Sequence, residues 1–322
     1  MDDPPIDILL CGDWGAAEDA AWRDALQAAM PETRWLSLAA ARADPARVQA
    51  AVVANPPPGS LQGLPALRLI QSLWAGVDRL LADPTLPPQV PLARMVDPLM
   101  NAAMAQTALW AVLSLHRGFF DYARRQSEGR WHAHAQTRAE DIRVLVLGLG
   151  QMGLAAARAI AGLGYPVSGW TRQPRTVTGA VAVDVAALSG ETALRAQLAQ
   201  TDIVVNLLPL TPATRGLLDQ RFFAALPAGA SIVNLARGAH VVDADLLAAL
   251  DTGHLRHAVL DVFTTEPLPA GHPFWAHPRV TMLPHAAALS DLRSAAHVAA
   301  ANLRAALAGG AVAHRVDRGA AY

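Results

Sequence analysis

Lysine is absent from this 322-residue chain, whose 26 basic residues are all arginines. That excludes a Schiff-base lysine and a phosphate-binding loop built on lysine. Cysteine is nearly absent too. Cys11 stands alone, so neither a disulfide framework nor a thiolate zinc cluster is available. Charged residues are sparse at 16%, and a formal net charge of −1 argues against nucleic acid or an anionic membrane as a partner. No apolar run is long enough to span a bilayer without a charged or turn residue interrupting it. The acidic N-terminus lacks a basic n-region and an apolar h-region, so no signal peptide is expected. His132-Ala133-His134 has no acidic or thiol neighbours and reads as a solvated loop, with no metal site expected. These absences point to a soluble cytoplasmic protein. At 52% apolar residues it is long enough for two cores.

What the chain does have is a glycine motif at its centre. Val144-Leu145-Val146-Leu147 reads as a strand buried on both faces, and Gly148-x-Gly150-x-x-Gly153 follows at once. Leu154 to Ala161 then continues as a helix. In that order Gly148 permits a tight turn, Gly150 lets backbone approach a pyrophosphate, and Gly153 allows close packing of helix on strand. The N–H groups of the new helix point at the anion.

Ahead of this motif lies a β-α-β rhythm of its own. Ile6 to Leu10, Arg34 to Leu38, Ala50 to Ala54 and Leu67 to Ser72 read as strands, with an Ala-rich helix from Ala16 to Met30. Three prolines make residues 55–59 a loop. The rhythm implies a small parallel sheet with helices on both faces. From Leu99 to about Arg125 apolar residues run almost all round. One long helix is expected there, buried between domains or against a second subunit.

Behind the motif, Pro166 to Trp170, Asp202 to Pro209, Ala230 to Gly238, Ala258 to Phe263 and Val280 to His285 complete a six-strand series. An acid is expected at the end of the second strand to bind a ribose 2′-hydroxyl. The chain instead reads Trp170-Thr171-Arg172-Gln173-Pro174-Arg175.

Four stretches carry a resemblance. They are Leu207-Leu208-Pro209-Leu210-Thr211-Pro212-Ala213-Thr214-Arg215-Gly216, Asn234-Leu235-Ala236-Arg237-Gly238, Leu260-Asp261-Val262-Phe263 through Glu266-Pro267, and His277-Pro278-Arg279-Val280 through Pro284-His285. With Ala75-Gly76-Val77-Asp78 they give a chain that resembles the D-isomer-specific 2-hydroxyacid dehydrogenase family along essentially its whole length. The glyoxylate/hydroxypyruvate reductase subgroup is the most similar.

The resemblance implies an α/β fold of two doubly wound parallel-sheet domains. A Rossmann cofactor domain, residues 101–287, would be inserted into a flavodoxin-like substrate domain, residues 1–100 and 288–322. It implies a catalytic set of Arg237, Glu266 and His285. Arg237 would grip the substrate carboxylate and polarise the carbonyl with its planar fork of donors. His285 would protonate the oxygen as hydride arrives at C2, and Glu266 would orient the ring and favour its charged form. Trp74, Ala75 and Gly76 would offer backbone N–H groups to the carboxylate, although most relatives carry a small residue at Trp74. Cofactor contacts would come from Gly148, Gly150, Gln151, Met152 and Gly153, from Trp170, Thr171, Arg172 and Arg175, and from Leu208, Pro209, Thr214, Leu235, Ala236 and Asp261. With Thr171 in place of an acid and arginines beside it, NADPH is the expected cofactor, and NADH the weaker one.

The function expected is reduction of glyoxylate and hydroxypyruvate by a cytoplasmic homodimer. Two alternatives stay open on sequence: a reductase of bulkier aryl 2-oxo acids, and a dinucleotide-sensing corepressor-like binding protein. Corepressor relatives add extended disordered tails.

Overall fold

The structure is a computed structural model that describes residues 5–174 and 185–319. The chain divides into two compact units. One comprises the residues up to Met100 together with those from Ser290 onward, and the other is Asn101–Leu289.

The first unit opens with β1 (Ile6–Gly12), α1 (Ala16–Ala29), β2 (Thr33–Leu36), α2 (Leu38–Ala43) and β3 (Ala50–Ala54). It continues through β4 (Leu69–Ser72), α3 (Asp78–Leu81) and the two-residue β5 (Leu92–Ala93). Among the described residues these strands form one parallel sheet in the order β2-β1-β3-β4-β5. That is the flavodoxin-like order of a doubly wound fold. Alternation along the strands sends Leu9, Cys11, Ala51, Val53 and Ile70 to one face, where they pack with Ala41 of α2 and Leu80 of α3.

The chain then enters the second unit along α4 (Pro98–Arg117), followed by α5 (Phe119–Ser127). The single long helix expected here is two. Gly118 adopts a left-handed conformation (φ 72°) that ends α4, and only glycine does this without cost. One arc of α4, Ala108, Ala111, Val112 and Leu115, is buried against the unit's own sheet, while Trp110 on another arc is exposed.

β6 (Val144–Leu147), α6 (Gln151–Ala161), β7 (Val167–Thr171), β8 (Ala186–Ser189), α7 (Glu191–Leu198) and β9 (Ile203–Asn206) come next. Then follow α8 (Gln220–Ala224), β10 (Ala230–Asn234), α9 (Asp243–Asp251), β11 (Leu255–Leu260) and β12 (Val280–Met282). The described residues form a seven-stranded parallel sheet in the order β12-β11-β10-β9-β6-β7-β8. The reversal between β9 and β7, on either side of β6, is the switch point of a dinucleotide-binding fold. The sequence series of six strands lacked β8. Ala186-Ala187-Leu188-Ser189 is a half-exposed edge strand with no β-branched residue, so it carries little strand signal.

Alternate residues of β6 divide the core of this unit. Val144 and Val146 face α4 and α6, while Leu145 and Leu147 face α7, α8 and α9. Finally α10 (Leu292–Leu307) returns to the first unit and packs on α1 and β4. Asp291 caps it by accepting from the N–H groups of Arg293 and Ser294. Its buried Asn302 donates to Gln71 Oε1 at 2.8 Å, and Arg304 pairs with Glu32 at 2.7 Å.

Candidate functional site

The carboxyl ends of β6, β7, β9, β10, β11 and β12 carry nearly every residue singled out in the second unit, which is where open α/β sheets bind ligands. The glycine turn after β6 shows why each glycine is there. Gly148 has φ 94°, and a Cβ on it would stand 2.7 Å from the Leu207 carbonyl oxygen. A Cβ on Gly153 would stand 1.8 Å from the Gly148 oxygen, so helix and turn close only around a glycine. At Gly150 the opposite holds: nothing of the protein lies within 4 Å of its would-be Cβ. Space is therefore kept beside the backbone that starts α6. The first-turn N–H groups, at Gln151, Met152 and Gly153, have no partner within the helix, and no acidic residue sits in that turn. The residues fit a pyrophosphate.

At the end of β7 the Thr171 hydroxyl donates to the Gln173 carbonyl at 2.7 Å and turns the loop back. Arg172 is exposed beside it, and Arg175 lies outside the described residues. Trp170 is buried, and its Nε1 donates to the Gly190 carbonyl at 2.8 Å, so its ring serves the core and only its main chain lies at the strand end. After β9, Pro209 is exposed while Leu208 is buried. The Thr214 hydroxyl accepts from Thr211 N at 2.8 Å and donates to the Pro209 carbonyl at 2.8 Å. Thr214 is thus a brace for the loop that presents Pro209.

Two asparagines that the sequence reading passed over tie β9 to β10. Asn206 Nδ2 donates to Asn234 Oδ1 at 3.0 Å, and Asn234 Nδ2 donates to the Arg237 carbonyl at 3.0 Å. Both are fully buried, so these bonds satisfy groups that would otherwise be costly. The signal was present in sequence: an asparagine closes each of two largely apolar strands. Leu235 and Ala236 are buried behind Arg237, whose Nη1 donates to the Ala236 carbonyl at 2.8 Å.

The loop after β11 meets Arg237 through its neighbour. A Cβ on Gly238 would stand 1.8 Å from the Phe263 carbonyl carbon, so the two backbones touch. Phe263 N donates to Glu266 Oε1 at 2.8 Å, and Glu266 Oε2 lies 2.7 Å from His285 Nδ1. With an ionised carboxylate as partner, Nδ1 is the nitrogen that donates, and the carboxylate fixes the orientation of the ring. His285 itself has φ 54°, a region that non-glycine residues rarely enter. Its N–H donates to the Asp261 carbonyl at 2.8 Å, while Asp261 Oδ1 accepts from Ala286 N at 2.7 Å and Ala287 N at 3.1 Å. Asp261 therefore fastens the His285 turn from below. Burial raises its pKa, and the two backbone N–H groups oppose that rise.

In the first unit the turn Trp74-Ala75-Gly76 follows β4. The N–H of Trp74 donates to Ser72 Oγ at 3.0 Å, so it is engaged within its own turn. A serine two residues back caps the turn locally, which corrects the expectation for Trp74. Its ring stands edge-on to Trp22 at 6.3 Å. His134 leans on Tyr122 at 4.9 Å, and among the described residues no group of three or more His, Cys, Asp or Glu gathers to hold a metal.

Residues 109–287 match the family described as D-isomer specific 2-hydroxyacid dehydrogenase, NAD binding domain. The glyoxylate/hydroxypyruvate reductase A of Serratia proteamaculans is 40% identical over 272 residues, covering 83% of this chain and 85% of the relative. Among solved structures, a D-isomer specific 2-hydroxyacid dehydrogenase from Xanthobacter autotrophicus Py2, in complex with NADPH and MES, is 41% identical. It superposes with a TM-score of 0.91 over 99% of this chain and 100% of that one. An NADPH-dependent glyoxylate/hydroxypyruvate reductase from Sinorhizobium meliloti, in complex with NADP and sulfate, is 33% identical, with a TM-score of 0.89 over 98% and 99% of the two chains.

Proposed function

The chain belongs to the D-isomer-specific 2-hydroxyacid dehydrogenase family, and on that premise we propose that it reduces glyoxylate and hydroxypyruvate with NADPH. The observation that carries this reading is the Glu266–His285 pair, held at 2.7 Å on the edge of the sheet that also presents Arg237 and the glycine turn. Bound NADPH would supply the hydride to C2 of the 2-oxo acid. Everything else falls to the chain's own residues.

Arg237 binds the carboxylate and the adjacent carbonyl oxygen with parallel donors, which concentrates positive charge where negative charge develops. His285 gives its Nε2 proton to that oxygen. Glu266 stabilises the imidazolium before the transfer and keeps the ring aimed, with Phe263 N–H fixing the carboxylate in turn. In the first unit, the resemblance assigns the main-chain N–H groups of Ala75 and Gly76 to carboxylate binding. Gly148 to Gly153 hold the pyrophosphate, and Leu208, Pro209 and the chain at Leu235 and Ala236 line the adenosine and nicotinamide. We assign the dinucleotide to the second unit and the carboxylate-binding turn to the first.

Thr171 supports the choice of NADPH, because no acid there repels a 2′-phosphate and Arg172 follows it. The solved relatives above, in complex with NADPH or NADP, support it from outside. We place the enzyme in the cytoplasm, where an isolated thiol such as buried Cys11 stays reduced. No helix of the described residues is long and apolar enough to cross a membrane.

The test separates the two catalytic side chains. Arg237→Ala should raise KM for glyoxylate and lower kcat together, whereas His285→Ala should chiefly lower kcat, by about 10²–10⁴-fold. A His285→Ala enzyme with near-normal kcat would remove that residue from the reaction.

A further inference from the structure

Three indoles run together in the first unit, and the reaction proposed above uses none of their rings. Trp14 follows β1, Trp22 lies on α1 and Trp74 follows β4. Those strands belong to one parallel sheet, so Trp14 and Trp74 both leave its carboxyl edge, where doubly wound folds bind ligands. Trp22 is buried, whereas Trp14 and Trp74 are half-buried. The Trp14 and Trp22 rings stack at 6.3 Å with 19° between their planes, and Trp22 meets Trp74 edge-on at 6.3 Å and 77°. The run therefore passes from the turn after β1, through the core, to the turn after β4.

Both ends of the run are fixed. Trp14 Nε1 donates to Asp19 Oδ1 at 3.1 Å, and Arg23 Nε holds the other carboxylate oxygen at 2.6 Å. A Cβ on Gly12 would stand 2.5 Å from the Trp14 ring, so that ring lies flat against the end of β1. At the other end, the hydroxyl of buried Ser72 accepts from Trp74 N and donates to the Trp74 carbonyl, each at 3.0 Å. Met95 N donates to the same carbonyl at 3.1 Å. With its main chain held on both sides and its ring set against a buried indole, Trp74 has little freedom to withdraw. A tightly packed neighbour yields to added volume only at a cost.

We propose that the Trp74 ring is a specificity-determining wall that confines the enzyme to 2-oxo acids with a short substituent on C2. This inference rests on the reading of Ala75 and Gly76, the next two residues, as the carboxylate-binding turn. A 2-oxo acid gripped by its carboxylate and its carbonyl oxygen varies only in that substituent, which is hydrogen in glyoxylate and hydroxymethyl in hydroxypyruvate. An indole at the entry to the turn fills volume that a small residue would leave open. Exclusion, rather than stacking on an aryl substrate, follows from the anchoring: a ring that cannot withdraw makes no room for a longer chain.

The test is a ratio, so that a general loss of activity cancels. Initial rates at saturating NADPH are measured for the wild type, Trp74→Phe and Trp74→Ala with glyoxylate, 2-oxo-4-methylpentanoate and phenylpyruvate, and circular dichroism checks the fold of each variant. The kcat/KM ratio of each bulky substrate to glyoxylate should rise at least about tenfold in Trp74→Ala and by less in Trp74→Phe. A merely structural tryptophan would lower all three substrates together and leave the ratios unmoved, which overturns the proposal. A fall in the ratios overturns it too, because the ring would then be a platform that bulky substrates need. Should Trp74→Ala fail to fold, Trp74→Phe decides alone, and unmoved ratios in it are again the contrary result. A wild type that reduces glyoxylate while the ratios stay unmoved fails the wall only. A wild type that reduces no 2-oxo acid contradicts the function proposed above, and the wall falls with it.

Discussion

At the scale of single residues, two side chains make distinct demands. Arg172 stands exposed at the end of β7, beside a Thr171 whose hydroxyl is already used within its own loop. A hydrogen bond from a guanidinium to a phosphate contributes about 1.5–3 kcal/mol, some 10- to 150-fold in affinity. Arg172→Ala should therefore cut kcat/KM with NADPH by at least about tenfold and leave the value with NADH nearly unchanged. Equal losses with the two cofactors would place Arg172 away from the 2′-phosphate.

His257 makes the second demand, on stability. Its ring is stacked 4.8 Å from Phe120, with Nε2 2.9 Å from the Thr281 hydroxyl, and burial pushes its pKa from 6.5 down to about 4. Between those values the unfolded chain binds a proton that the folded one refuses. The stabilisation from this ring is thus complete above pH 6.5 and is lost as pH falls toward about 4, amounting to about 3 kcal/mol at most. His257→Leu should flatten that part of the stability–pH curve. Denaturant unfolding at pH values across this window checks it, and an unaltered slope in the variant would contradict it.

At the scale of elements, much was legible because local rules and tertiary needs agree. Val144 to Leu147 followed by Gly148, Gly150 and Gly153 reads as strand, turn and helix, and each is present. The misses have physical causes. β8 is an edge strand of alanine, leucine and serine without β-branched residues, and β5 is two residues long. The break between α4 and α5 rests on Gly118 alone, whose left-handed backbone hydrophobic periodicity does not report. The pairing of Glu266 with His285 was legible from their motifs, and the two side chains stand 2.7 Å apart. The site was illegible where backbone is what matters. That the Trp74 N–H is used by Ser72, and that Asp261 fastens the His285 turn, follows only from hydrogen bonds.

The same two helices carry a prediction about assembly. Trp110 of α4 and Phe119 of α5 are exposed, and Trp110 meets Phe120 edge-on at 5.5 Å. Exposed large aromatics on neighbouring helices mark a candidate contact face. We expect a homodimer built on it. Sedimentation velocity at micromolar concentration should show a dimer for the wild type and a shift toward monomer for Phe119→Glu. A wild-type monomer would contradict this assignment.

At the scale of the whole molecule, the described residues form two parallel sheets of different strand order. Composition alone had bounded part of this: 52% apolar residues over 322 positions are enough for two cores. Strand order was not legible from composition or periodicity, since neither reports which strands lie side by side. It came from the family resemblance. The central claim is that the enzyme reduces small 2-oxo acids with NADPH, and one set of initial rates tests it most directly. The wild-type enzyme is given NADPH or NADH against glyoxylate, hydroxypyruvate and a bulky aryl 2-oxo acid. The account predicts that kcat/KM is highest for glyoxylate or hydroxypyruvate with NADPH, at least about tenfold above the same substrate with NADH. Equal efficiency with the two cofactors, or a clear preference for the aryl substrate, would contradict it.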